Sequence, residues 1–176
     1  MLIKEWVDEI NRQLPTTHQI LTKFKRDGLM SDISEAREYL KEITLIYMER
    51  ENTKNNPLNE LIGGTNVGSV RIGGIDFFES IQKNSVFEGY FDFARYNDFY
   101  TLSFKDKTVY IFDDESDNVE LVTDSCEEFL EFISECNKIY MNSIFDVEYD
   151  KDYSSIIIKK LINNKFSKKL LYEFIH

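Results

Sequence analysis

Two cysteines, two prolines, two histidines and one tryptophan are all that this 176-residue chain has of the residue types that most restrict a fold or a chemistry. Cys126 and Cys136 fall in one predicted helix, where the rise between them is about 15 Å. That is beyond the ~7 Å reach of a disulfide, so reduced, partly buried thiols are expected. His18 and His176 lie near opposite ends, and no Cys/His pair has the spacing of a zinc site. A Ser, Cys or Thr nucleophile needs a neighbouring base, and with so little histidine and no G-x-S-x-G motif none is evident. Carboxylates are abundant, and a solvated acidic surface accounts for them as well as a paired acid and base does. No catalytic residue, metal or cofactor is therefore expected.

Two further shortages bear on location and partners. There is no apolar run of the ~18 residues that a membrane helix requires. The first residues already include Lys4 and Glu5, which does not suit the apolar core of a signal peptide. A cytoplasmic protein without membrane contact is expected. Positive charge is scarce, with 21 Lys and Arg against 32 Asp and Glu and a formal net charge of −11. Neutralising phosphates supplies most nucleic-acid affinity, so nucleic acid is not an expected partner.

What the chain does have is apolar material, 42% of its residues, with 14% aromatic. That suffices for one core in a domain of this length, and residues 1–176 are read as a single domain. The first third is helical. Ile3, Trp6, Val7, Ile10 and Leu14 recur at helical spacing until Pro15 stops them. Thr16 with Gln19, and Asp32 with Glu35, have the form of capping boxes. They open a short helix that ends near Gly28 and a longer one in which Ile33, Ala36, Leu40, Ile43 and Tyr47 share a face up to about Met48. The polar stretch Asn52–Pro57 should end that helix.

Gly63, Gly64, Gly68, Gly73 and Gly74 then cluster. A phosphate-cradling loop needs Lys and a hydroxyl residue directly after its last glycine, whereas Ile75 and Asp76 follow here, so tight turns around a short strand, Val67–Ile72, are expected. From Phe77 to Val122 the apolar period changes to two. This predicts strands near 75–79, 89–95, 98–104, 108–112 and 119–122. The links Tyr96-Asn97 and Lys105-Asp106-Lys107 are too short for anything but antiparallel neighbours. Ser125 with Glu128 caps a returning helix through Cys126, Phe129, Leu130 and Ile133. Residues 154–176, with Ile156, Ile157, Leu161, Phe166, Leu170 and Phe174, read as one or two further helices. The expected fold is α+β, a mostly antiparallel meander sheet flanked by N-terminal, post-sheet and C-terminal helices.

Four elements between Gly89 and Ile133 occur in a distinctive order: Phe91-Asp92-Phe93, then Asp98-Phe99-Tyr100-Thr101-Leu102, then Val109-Tyr110-Ile111-Phe112-Asp113-Asp114, then Ser125-Cys126-Glu127-Glu128-Phe129-Leu130. This stretch resembles the C-terminal half of the SUKH superfamily, which includes the yeast cell-wall-assembly regulator and many bacterial immunity proteins. The resemblance implies a SUKH-like core over about 89–133, with a C-terminal helical extension over about 154–176. It also implies a non-catalytic protein that binds another protein. The leading form is an immunity protein that neutralises a cognate toxin, such as a nuclease. The alternative is an adaptor or regulatory scaffold.

Charge distribution bears on that implication. Asp113, Asp114, Glu115, Asp117, Glu120, Asp124, Glu127, Glu128, Glu131 and Glu135 lie between Lys107 and Lys138 with no Lys or Arg among them, while Lys159, Lys160, Lys165, Lys168 and Lys169 gather near the C-terminus. Such a run is either a solvated surface or a surface matched to a basic partner. For a cognate toxin with a basic surface, the expected binding residues are Asp113, Asp114, Glu115, Asp117 and Glu120, with Tyr110 and Phe112 as aromatic anchors if they are exposed. Phe99 is a third such candidate. A monomer or weak dimer is expected.

Overall fold

The structure, a computed structural model, describes residues 2–29, 32–48, 56–96, 99–116 and 118–145. Three helices come first: α1 (Ile3–Arg12), α2 (Thr17–Arg26) and α3 (Ile33–Glu42). Both expected capping boxes are present, Thr16 with Gln19 and Asp32 with Glu35. The apolar stripe of α1 is buried from Ile3 to Ile10, and the Trp6 indole N–H donates to the Leu130 carbonyl at 2.8 Å.

Two expectations for this region fail. α3 ends at Glu42, not near Met48, and Ile33 is 54% exposed. The periodic apolar residues continue past Glu42, but side chains from elsewhere take over the backbone. The Asn11 amide donates to the Leu45 carbonyl and accepts from the Leu45 N–H, both at 2.9 Å. The Asn66 side chain accepts from the Ile46 N–H at 2.7 Å and donates to the Thr44 carbonyl at 3.1 Å. Tyr47 instead forms an isolated antiparallel bridge with Thr65.

The second failure is a missed helix. Pro57 does not terminate structure but begins α4 (Pro57–Gly64), where it occupies the first turn behind the Asn56 cap, whose side chain accepts from the Leu58 N–H at 2.8 Å. A proline in the first turn forfeits only an N–H that would have been orphaned. The expected strand Val67–Ile72 is a 3-10 turn at Val67–Ser69 followed by the two-residue strand β1 (Arg71–Ile72).

The sheet follows the expected meander. β2 (Ile75–Lys83), β3 (Phe91–Tyr96), β4 (Tyr100–Lys105), β5 (Thr108–Asp113) and β6 (Val119–Thr123) pair with β1 in the order β1-β2-β3-β4-β5-β6. Every neighbour is antiparallel. The β4–β5 turn sets Asp106 at φ 56°, a left-handed conformation that Asp tolerates.

α5 (Cys126–Phe145) then returns across one face. Its Ser125 hydroxyl accepts from the Glu128 N–H at 3.1 Å. Phe129, Leu130 and Ile133 join Leu102 and Phe104 in the main core cluster, and the rings of Phe93 and Phe129 meet edge to face at 5.3 Å. A buried polar link ties the layers together. The Asn137 side chain accepts from the Gly73 N–H and donates to the Gln13 side chain, both at 3.0 Å. Gly73 has φ 55°, and a Cβ there would lie 3.1 Å from the Asn137 N. Beyond this, Ile20, Ala36, Met141 and Phe145 form a second, smaller cluster where α2 and α3 meet the end of α5. The expected C-terminal helices at 154–176 lie outside the described residues.

Candidate functional site

Strand register divides the sheet into two faces. Leu102 pairs with Ile111 and Phe104 with Val109 on the face that α5 covers. Thr101 with Phe112 and Ser103 with Tyr110 therefore occupy the opposite, outer face. Leu121 and Val119 of β6 continue it beside Tyr110 and Phe112. α4 and α5 contact the sheet through the inner-face core, and no described helix packs on the outer one.

The outer face carries an aromatic cluster that the β2–β3 connection completes. Asn84 shapes this connection. Its Oδ1 accepts from the N–H groups of Val86 at 2.9 Å and Phe87 at 2.8 Å, and its Nδ2 donates to Asp92 at 2.9 Å. The Ser103 hydroxyl donates to the same Asp92 oxygen. The loop thus folds back over β5. Phe87 sits 5.1 Å from Phe112, and Tyr90 meets Phe112 and Tyr110 edge on, each at 5.2 Å. Lys105 Nζ lies 5.0 Å from the Tyr90 ring centre, within cation–π range.

Each proposed binding residue can now be placed. Tyr110 is half-buried on the outer face. Phe112 is on that face too but only 4% exposed; as an exposed anchor it is corrected, because the returning loop roofs it with Phe87 and Tyr90. Phe99 is exposed. Asp113 ends β5 half-buried, and its Oδ1 accepts from the Glu115 N–H at 3.0 Å. Asp114 is exposed in the β5–β6 turn, where its carboxylate accepts from the Thr101 hydroxyl at 3.1 and 3.3 Å and lies 4.0 Å from the Arg95 guanidinium. Glu115 is exposed. Glu120 is half-buried on β6, opposite Ile111 and so on the other side of the strand from Val119 and Leu121. Asp117 lies outside the described residues.

The structure thus places Tyr110, Phe112 and the Thr101-bonded carboxylate of Asp114 on the outer face, whereas Asp113, which pairs with Tyr100 one residue beyond Phe112, falls by the same alternation on the inner side of β5. It separates the outer-face residues from the rest of the acidic run, since Glu128, Glu131 and Glu135 are exposed on α5, which covers the inner face. Sequence reasoning missed Phe87, Tyr90, Asn84 and Asp92 as members of this surface. Only the Asn84-Ser85 and Glu88-Gly89 turn residues around Val86-Phe87 hinted at a loop there.

Both thiols are buried within α5. Burial pushes the Cys126 thiol up to about 11, against the lowering effect of the Asn56 side-chain hydrogen bond, and Cys136 is also raised by burial. They stay protonated at neutral pH, and a protonated thiol is a poor nucleophile. Among the described residues, no group of three or more His, Cys, Asp or Glu side chains could hold a metal ion, and no helix is long and apolar enough to cross a membrane. Comparison with family models, curated proteins and solved structures finds no match to this chain.

Proposed function

We propose that this chain is a non-catalytic protein-binding domain that engages a basic partner through the outer sheet face and the β5–β6 turn, and that it serves as an immunity protein neutralising a cognate toxin. The observation that carries the reading is the joining of two features: an aromatic cluster of Phe87, Tyr90, Tyr110 and Phe112 on a face without a helix, and at its border a turn in which the Thr101 hydroxyl holds the Asp114 carboxylate and the Glu115 N–H holds that of Asp113. Half-buried aromatics supply contact area at low entropic cost. Carboxylates already held in position lose little freedom when they pair with Lys or Arg. The resemblance of Gly89–Ile133 to the SUKH superfamily supplies the toxin as the kind of partner.

In this reading the mechanism is competition. A nuclease toxin holds phosphate with basic side chains, and Asp113, Asp114 and Glu115 present carboxylates to the same groups. Phe87, Tyr90 and Tyr110 supply apolar contact area along the same face, with Phe112 packed against the Phe87 and Tyr90 rings. Glu120 adds negative charge at the edge.

Co-purification from the native host, followed by surface-plasmon kinetics on the isolated partner, tests this. Asp113→Asn together with Asp114→Asn retains oxygen acceptors for the Glu115 N–H and the Thr101 hydroxyl but removes the charge. It is expected to weaken binding by at least about tenfold, with the wild-type association rate falling steeply as salt is added. Equal affinities with no salt dependence would eliminate the electrostatic mechanism. A partner that binds without losing any activity would point to the adaptor role instead.

A further inference from the structure

The two edges of the sheet are guarded differently. β1 is only two residues long, and the Gly73 turn after it is fastened to α5 by the Asn137 side chain. So short a strand offers almost no row of free backbone groups. β6 is the other edge, and among the described residues no strand pairs with its far side. Its sequence, Val-Glu-Leu-Val-Thr, contains neither proline nor lysine, and its guards are limited to the inward-facing Glu120 and an irregularity in register beside Val109 and Tyr110.

The ladder identifies which groups face outward. The Asp113 N–H donates to the Asn118 carbonyl at 3.0 Å. In an antiparallel pair, bonded and non-bonded residue pairs alternate, so Ile111 with Glu120 is the next bonded pair. The backbone N–H and C=O of Val119 and Leu121 accordingly turn away from β5. Their side chains are 38% and 50% exposed and extend the outer aromatic face. One strand thus presents backbone groups and apolar side chains at the same two residues.

We propose that β6 takes an extended segment of a basic protein partner as a seventh strand of the sheet; this rests on the reading of the outer face as a partner-binding surface. Charge selects the occupant. Glu120 lies within the strand, with Asp113, Asp114 and Glu115 at one end and Asp124 at the other. A second copy of the chain would set the same carboxylates against them, and like charges across a ladder destabilise it. A segment in which apolar residues flank a Lys or Arg matches Val119, Glu120 and Leu121 in order. Main-chain bonds then supply affinity, and the alternate side chains supply specificity.

Amide hydrogen exchange on the full chain reads β6 directly. The probe is a short synthetic peptide alternating valine and lysine, with a peptide of the same composition in block order as control. The alternating peptide is expected to slow exchange at Val119 and Leu121 by about tenfold or more, less so as salt rises, and the block peptide to have no effect. Leu121→Pro removes an outward N–H at an edge position that tolerates proline and should abolish the protection at Val119. Glu120→Lys keeps the strand and should abolish it by repulsion.

Three results would overturn the proposal. They are peptide binding without protection in β6, protection of the free chain that is independent of concentration, and protection that grows with chain concentration alone. The second would mean the chain covers its own edge, and the third that a second copy does. With the partner itself, equal affinity of wild type and Leu121→Pro would sink the seventh strand but leave the outer-face reading standing. Equal affinity of wild type and the Asp113→Asn, Asp114→Asn pair, with no salt dependence, would remove the electrostatic part of that reading.

Discussion

On the inner face of the sheet, Phe93 is fully buried edge-on to Phe129 at 5.3 Å, beneath a helix that Trp6 also locks from α1. On the outer face, Phe112 is nearly as buried, but its cover is Phe87 and Tyr90 from a loop that Asn84 and Asp92 hold in shape. Equal burial therefore arises in two ways. The inner face joins elements distant in sequence, so its loss should unfold the domain. The outer face is a local cover on a sheet already formed, which leaves its chemistry free to vary with a partner. The largest expected effect sits on the first side of that contrast. Phe93→Ala should cost about 3–5 kcal/mol, as core Phe deletions do, whereas Phe87→Ala should cost only about 1–2 kcal/mol because the loop can collapse onto the space. Urea unfolding of both variants checks this, and equal losses would mean that the two faces are not distinct in kind.

A smaller effect sharpens how the inner layer is assembled. The Asn137 side chain bonds both the Gly73 turn and Gln13 at the α1 end. Asn137→Ala leaves a buried N–H on Gly73 without its acceptor, which costs about 1–3 kcal/mol. Asn137→Asp keeps an acceptor for Gly73 but buries a carboxylate against the Gln13 Oε1, and should destabilise at least as much as Asn137→Ala. If both variants melt with the wild type, the link is incidental to the packing.

Both sides of the comparison were unequally legible from the residues. The alternation through Tyr100–Phe104 and the short polar turn at Lys105–Lys107 identify the β4–β5 hairpin, because both signals are local. The Ser125–Glu128 cap likewise locates the start of α5. The apolar period overruns the end of α3 because nothing local marks where Asn11 and Asn66, from other elements, capture the backbone of Thr44, Leu45 and Ile46. α4 leaves little local signal, because Asn56-Pro57 starts a helix as readily as it ends one and the paired Gly63-Gly64 reads as a turn. For the candidate surface, Asp113, Asp114, Glu115 and Tyr110 were found through charge and alternation, both carried by the chain itself. The roof over Phe112 was not, since which face of a strand receives a returning loop is a tertiary choice.

The thiols give a third contrast, expressed through pH. Both are raised by burial, Cys126 from 9.0 to about 11, and Cys136 in the same direction. The folded protein then keeps protons that the unfolded chain releases from pH about 8.5 upward. Stability from these groups is fully present below that pH and is lost as pH rises toward about 11 at Cys126. The urea midpoint should fall between neutral and strongly alkaline pH, and Cys126→Ser should flatten part of that fall. Thiol reagents should meanwhile label the native chain slowly at neutral pH. Rapid labelling would show that α5 opens more easily than its burial implies.

The smallest expected effect on stability falls on the outer face, and it is the one that matters most to function. Glu115 is exposed in the β5–β6 turn, and the hydrogen bond that shapes the turn there uses its backbone N–H, not its carboxylate. Glu115→Gln should therefore leave the unfolding midpoint within about 0.5 kcal/mol of wild type, as surface substitutions of this kind do. The same change removes a charge from the rim of the proposed interface. Rim charges act chiefly on encounter, so the association rate with the basic partner should fall while the dissociation rate stays nearly unchanged. The difference from wild type should shrink as salt is raised past the point where the Debye length drops below about 8 Å. Asp114→Asn, whose carboxylate is tied to Thr101 and faces Arg95, should change the dissociation rate as well. Stopped-flow association and surface-plasmon dissociation of the two variants, at low and high salt, separate these outcomes. If Glu115→Gln changed stability and left association untouched, the turn would be part of the scaffold and the acidic border of the outer face would lose its proposed role.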